Sequence, residues 1–211
     1  MPGGLVFQPS DGPIALDDAR RWWAFTPGAT WRLPHGRRLA GTGGPSHPVV
    51  QVSQIDARAY AAWKGKALPT ETEWEFAARG GLDGAIFAWG DKETTAKGRH
   101  LANTWQGRFP YRNSRADGYH HTSPVGSYPA NGYGLQDMTG NVWEWTADRA
   151  DGDQPRGCCG HTQGAASRFV LKGGSYLCSP EYCLRYRPSA RTFQDEDMSS
   201  CHIGFRCILR P

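Results

Sequence analysis

Two cysteines, Cys178 and Cys183, stand five positions apart in the stretch GGSYLCSPEYCLRYRPSAR, with Pro180 between them. Such a pair can be a structural bridge, half of a zinc site or a reactive thiol pair. An odd separation on a strand sends two side chains to opposite faces, and on a helix it leaves them out of line. Pro180 pushes Ser179 toward extended backbone and lacks an amide donor, so the spacing predicts a turn that folds one thiol back toward the other. The two sulfurs can then share one small partner. Read as zinc ligands, they would need Cys201 and His202 to complete the set, which requires a fold that brings residues 178 and 202 together.

A second group of residues carries oxygen donors. The segments NTWQGRFPYRNSRADGY and DMTGNVWEW place Asn, Asp, Glu and backbone carbonyls where a looping chain can wrap them around a hard cation, and calcium accepts mixed oxygen ligands in flexible geometry. The competing reading is that Asn and Asp beside Gly simply form turns. Glu71, Glu73 and Glu75 read as cap and solvent-facing charge rather than as an acid-base set.

Size and composition bound what can hold these groups. A chain of 211 residues suffices for one well-buried domain. Glycine (27) and proline (15) are abundant and hydrophobic residues make up only 38%, which predicts short elements and long ordered loops. Nine tryptophans can fill such an irregular interior, and their N–H groups can tie down loop carbonyls. The net charge of +4 comes from scattered Lys and Arg with no basic block, which argues against nucleic acid as a partner. No charged n-region precedes an apolar run at the N-terminus and no long apolar stretch occurs, so a soluble, cytosolic, non-membrane protein is expected. In that compartment six cysteines point to metal binding or chemistry more than to a disulfide framework.

The elements that must position these groups are short. LDDARRWWAF, Leu16 to Phe25, is predicted helical with Asp17 and Asp18 at its N-terminus and Trp22 and Trp23 as anchors. PVVQV reads as a short buried strand leading to Ser53, the cap of a helix from about Gln54 to Lys64 that presents Ile55, Ala59, Ala62 and Trp63 on one side. In LPTETEWEFAARGG, Thr70 and Glu73 have capping-box separation and Gly80 supplies a left-handed stop. From Gly81 to Tyr133 there is almost no sustained periodicity. Strand-like pieces return at RFVLKGGSY, CLRYRPSAR and HIGFRCILRP.

Taken together, LPTETEWEFAARGG, ANTWQGRFPYRN, PANGYGLQDMTGNVWEWTAD, LKGGSYLCSPEYCLRYRPSAR and HIGFRC resemble the formylglycine-generating enzymes, also called sulfatase-modifying factors, of prokaryotic type. GNVWEW and GFRC recur across a broad superfamily; the cysteine pair, preceded by Gly173-Gly174-Ser175 and followed by Arg185-Tyr186-Arg187, is what looks like the active enzymes. The resemblance implies an α+β fold: a single compact domain with little regular secondary structure, distantly like a C-type lectin. The chain begins where family members are already well into the domain, so their leading quarter is expected to be missing.

The resemblance also implies an activity. Family members use O2 to convert a cysteine in a Cys-x-Pro-x-Arg motif of an unfolded or nascent sulfatase to Cα-formylglycine. Cys178 and Cys183 are then expected to hold Cu(I), a soft ion content with few ligands, with Ser175 a polar group near oxygen or substrate. Trp143 becomes a groove wall, and Tyr182 and Arg187 peptide contacts. Two calcium ions are implied, one at the Asn103 side chain, the Thr104 carbonyl, Asp117 and the Tyr119 carbonyl. The other falls at Asp137, the Gly140 and Val142 carbonyls, and Glu144. Cys207 matches a position that is bridged in eukaryotic relatives, but its partner position holds Ala61, and a second bridge is replaced by Ala78 and Pro188. These losses fit a bacterial cytoplasm, and a monomer is expected. Adjacent cysteines like Cys158-Cys159 occur in some prokaryotic relatives and default to buried thiols. The alternative is a non-catalytic relative that binds sulfatase peptides without oxidising them.

Overall fold

The computed structural model describes residues 2–37, 43–95, 97–150 and 167–210. Two small sheets and two helices frame long ordered loops. Strand β1 (Gly3–Phe7) pairs antiparallel with β2 (Trp23–Pro27), in register from Gly3 opposite Pro27 to Phe7 opposite Trp23. The second sheet has β3 (Trp143–Arg149), β4 (Arg168–Lys172), β5 (Arg191–Asp195) and β6 (Ile203–Gly204) in the order β5-β4-β3-β6. Its β3–β4 and β4–β5 pairs are antiparallel, and β6 runs parallel to β3.

Helices α1 (Gln54–Trp63) and α2 (Glu71–Arg79) start where the sequence places them, for the reasons it gives. Ser53 Oγ accepts from the Asp56 amide at 3.1 Å, and Asp56 returns the bond to the Ser53 amide at 2.9 Å. Thr70 and Glu73 exchange the same pair of bonds, 3.1 and 2.7 Å, and Gly80 ends α2 in the left-handed region at φ 57°. Each reciprocal cap satisfies two amide donors that a helix start otherwise leaves open.

Several predicted elements are replaced. Leu16 to Phe25 is not an α-helix: Asp18 caps only a 3-10 turn over Ala19–Arg21, and Trp23 onward is drawn into β2 by its partner β1. PVVQV forms no strand, because Gln51 adopts φ 57° and its side chain ties Leu5 and Pro34 carbonyls at 3.1 and 2.8 Å. CLRYRPSAR is turn rather than strand, with Leu184 at φ 39°, and β5 begins only at its last residue. Strands β1 and β3 carry no separate prediction. The buried side of α1 is Ala57 and Ala61, while Ile55 and Trp63 face out. Small side chains let the helix come close to β3, which Ile or Trp there would hold away. Cys158 and Cys159 lie outside the described residues.

The core is largely aromatic. Trp143, Trp145, Leu171, Tyr186 and Ile203 pack with Ala57, Ala61 and Cys178, and a second cluster joins Phe7, Trp22, Trp105, Phe109, Tyr176 and Leu177. Indole N–H groups pin loops as expected: Trp145 Nε1 donates to the Val52 carbonyl at 3.0 Å and Trp89 Nε1 to the Lys92 carbonyl at 2.8 Å. Glu71 and Glu75 do not simply face solvent. They hold Lys172, fully buried on β4, with Nζ at 3.3 Å from Glu71 and 3.0 Å from Glu75. This tie anchors α2 to the strand that enters the site.

Candidate active site: a thiol pair in an aromatic pocket

The chain leaves β4 through Gly173 and Gly174, at φ 97° and 72°. A Cβ on Gly174 would lie 2.9 Å from the carbonyl carbon and oxygen of Arg185 and from the Tyr186 nitrogen. Only glycine allows so close a backbone crossing. It holds the segment bearing Cys178 against the segment that follows Cys183.

Hydrogen bonds complete the arrangement. The Ser175 carbonyl accepts from the Cys178 amide at 2.9 Å, and the Ser175 amide reaches the Cys178 sulfur at 3.4 Å. The carbonyl of Ser179 then collects three amides, those of Tyr182, Cys183 and Leu184, at 3.1, 2.9 and 3.0 Å. That convergence is the turn the Pro180 spacing predicts. Cys178 is buried and Cys183 half-buried, and neither is disulfide-bonded.

Both thiols line one cavity of about 20 Å³, room for a single water-sized molecule. Ser175, Trp143 and Tyr182 line it as well. The remaining wall comes from His202, which the zinc reading of the sequence names beside the thiols, and from Trp22, Trp23, Phe109 and Leu177, which sequence reasoning leaves out of the site. Tyr182 stacks on Phe109 at 4.9 Å and meets Trp22 edge to face at 5.7 Å, while Trp23 covers His202 at 4.7 Å. The Trp22-Trp23 doublet was the available signal, but the sequence assigns it to a helix anchor. Arg187 does not line the cavity, and its Nε is buried without a hydrogen bond. Behind the thiols, the Tyr186 hydroxyl donates to Glu93, and burial, reinforced by that carboxylate and by the cysteines, pushes its pKa up.

The zinc quartet is not assembled. Cys201 lies in the second aromatic cluster, its sulfur 3.4 Å from both the Phe7 amide and the Tyr176 hydroxyl, and does not line the thiol cavity. Among the described residues no three His, Cys, Asp or Glu side chains group so as to hold a metal. A two-sulfur site for a low-coordinate soft ion is the arrangement these thiols fit.

The two oxygen-donor sets differ. In the first, the Thr104 carbonyl and an Asp117 carboxylate oxygen meet at one point, marked by the Gln106 amide nitrogen, which contacts the carbonyl and lies 3.0 Å from Asp117 Oδ2. The Asp117 Oδ1 atom accepts from the Tyr119 amide at 3.0 Å, and Asn103 is buried beside them, with Nδ2 bonded to the His121 carbonyl at 2.9 Å. These hard donors fit a calcium ion. In the second set Glu144 is already committed: Arg206 binds it with Nε and Nη2 at 2.6 and 2.7 Å, and Trp74 Nε1 donates at 2.7 Å. Asp137 accepts from the Gly126 amide at 2.6 Å, and burial raises its pKa. Here the guanidinium supplies the positive charge, and the second set does not fit a further cation.

The sulfatase-modifying factor enzyme 1-like domain matches residues 9–211. A formylglycine-generating enzyme of Mycobacterium tuberculosis is 53% identical over the whole chain, which spans 73% of that protein. One from Thermomonospora curvata is 49% identical over 90% of the chain and 64% of its own length. A Bos taurus protein named inactive Cα-formylglycine-generating enzyme 2 is 42% identical over 88% of the chain and 58% of its own length. Thus the chain spans from over half to about three quarters of these relatives. Among solved structures, PvdO from Pseudomonas aeruginosa superposes with a TM-score of 0.59 at 30% identity, covering 79% of this chain and 63% of that one. The chain therefore belongs to the sulfatase-modifying factor family, and the relatives named above include formylglycine-generating enzymes and one named inactive.

Proposed function

We propose that the chain oxidises a cysteine in a Cys-x-Pro-x-Arg segment of an unfolded or nascent sulfatase to Cα-formylglycine, with O2 as acceptor. The observation that carries this reading is the unbridged pair Cys178 and Cys183 lining one small cavity with Ser175 and Trp143. Cys178 and Cys183 would hold Cu(I), which supplies the one-electron chemistry with O2 that side chains lack.

The remaining work falls to the chain's own residues. The Ser175 amide, aimed at the Cys178 sulfur, favours the thiolate that a soft metal needs. Trp143, Tyr182 and Trp22 give the cavity an aromatic wall. In the overall change, the substrate Cβ passes from thiol to thioaldehyde oxidation level, losing two hydrogens to the acceptor. Water then replaces sulfur with oxygen and sulfide leaves. Calcium at Asn103, Thr104, Asp117 and Tyr119 would fasten the loop whose neighbour, Trp105, donates its amide to the Cys178 carbonyl at 3.0 Å.

The test is mass spectrometry of a synthetic Cys-x-Pro-x-Arg peptide incubated aerobically with the copper-loaded chain. Aldehyde product, trapped by a hydrazine, is expected, and Cys178→Ser or Cys183→Ser should abolish it. An unchanged thiol that nevertheless stays bound would place the chain with the inactive relatives.

A further inference from the structure

Helix α1 carries an apolar stripe that the fold itself does not use. Ile55, Ala59, Ala62 and Trp63 recur at helical spacing on one side, and all four are exposed, Ile55 at 45% and Trp63 at 72%. The side turned to the core is the opposite one, Ala57 and Ala61. Tyr60, also exposed, widens the stripe through ring contacts with Trp63 at 5.7 Å and with Phe205 at 5.5 Å. A helix on a protein surface ordinarily shows water its polar face. Single exposed hydrophobes need no explanation, but a contiguous run of them along one helix marks an interaction surface.

We infer that this face binds a second copy of the chain, the two α1 helices lying antiparallel about a two-fold axis at Ala59. Charge is what selects a second copy. Asp56 stands at the start of the helix, together with Glu196, whose carbonyl accepts from the Gln54 amide at 3.1 Å, while Lys64 and Lys66 stand at its end. An antiparallel pair brings each acidic start to the other copy's basic end; a parallel pair would set like charge against like. The basic end reaches the stripe itself, since Lys64 Nζ lies 4.1 Å from the centre of the Trp63 ring. Bulk is complementary in the same register. With Ala59 on the axis, Ile55 of each copy falls opposite Trp63 of the other, and the small Ala59 and Ala62 let the two backbones come close between them. An interface built on one ten-residue helix and its flanking rings is below the size of a permanent complex, so the association is weak and concentration-dependent. The surface shares no residue with the thiol cavity, and the inference does not depend on the activity proposed above.

The experiment is sedimentation equilibrium of the full chain, kept reduced, over a wide range of concentration and salt. The expected result is a reversible equilibrium between monomer and dimer that weakens as salt screens the opposite charges. Ala59→Arg puts two like charges on the axis and should leave only monomer, and Trp63→Ala should raise the dissociation constant about tenfold or more. Both side chains are exposed, so circular dichroism and the melting temperature in dilute solution should match those of the wild-type chain. Lys64→Glu/Lys66→Glu leaves acid at both ends of the helix; it should weaken the dimer, and added salt should then strengthen it. A wild-type chain that stays monomeric at every concentration, even one whose α1 face takes up another protein or a vesicle, would overturn the assignment. A dimer indifferent to Ala59→Arg would overturn it as well.

Discussion

The Gly174 backbone rests directly on the Arg185 carbonyl, at a distance where a side-chain carbon would meet carbonyl carbon and oxygen at 2.9 Å. Gly174 also sits at φ 72°, so alanine there is strained twice. Gly174→Ala is predicted to cost about 2–4 kcal/mol. It should also separate the two thiols, so weaker Cu(I) binding must accompany the lower melting temperature. Unchanged copper affinity would mean that this crossing does not set the thiol pair.

Lys172 is fully buried, and Glu71 and Glu75 neutralise it. Arg191 and Arg79 also pair with these two carboxylates, so the charge left uncompensated on breaking the network is the buried ammonium, a loss that typically costs about 3–5 kcal/mol. Glu71→Gln/Glu75→Gln should therefore destabilise by about that amount in urea denaturation, and adding Lys172→Met should recover most of it. A cost under about 1 kcal/mol for the carboxylate pair would show the network to be solvated in solution.

His35 and His121 provide an acid limit to stability. Burial first, and then the charge of His120, holds His35 at about 4, while burial and then the charges of His35, His120 and Arg115 hold His121 at about 3, against an ordinary value near 6.5. The unfolded chain binds protons that the folded chain refuses between these values, so stability present above about pH 6.5 falls as pH drops toward 4 and then 3. In chelator-treated protein the loss should reach on the order of 2–4 kcal/mol per ring. Urea midpoints measured from pH 7 to pH 4 check it, and His35→Phe should flatten part of the slope.

Calcium makes the fourth prediction. A ligand that binds only the folded state stabilises it by about 2.7 kcal/mol at a concentration of 100 Kd. A strong chelator should lower the melting temperature of the wild-type chain, and Asp117→Asn should abolish that response. An equal response in Asp117→Asn would move the ion elsewhere.

What the sequence reveals divides by the range of the forces involved. The Ser53 cap, the Thr70–Glu73 capping box, the Gly80 stop and the Pro180 turn are legible because each is decided within a few residues by hydrogen-bond chemistry or steric restriction. The 3-10 turn and β2 are not, since Trp23 extends only because Phe7 pairs with it. The buried face of α1 is missed for a related reason. Bulk suggested Ile55 and Trp63, whereas the close approach of β3 selects Ala57 and Ala61. The thiols, Ser175 and Tyr182 are visible as a local motif, but Trp22 and Phe109 reach the cavity by tertiary folding and have no spacing that announces them.

The cavity wall joins Trp22, near the first strand, to His202, near the last. The chain from residue 22 through residue 202 must therefore be available before the thiols gain their full aromatic cover, since contacts this distant in sequence form late. Until then Cys178 and Cys183 travel through synthesis unshielded, open to whatever oxidants or stray metals the surroundings offer.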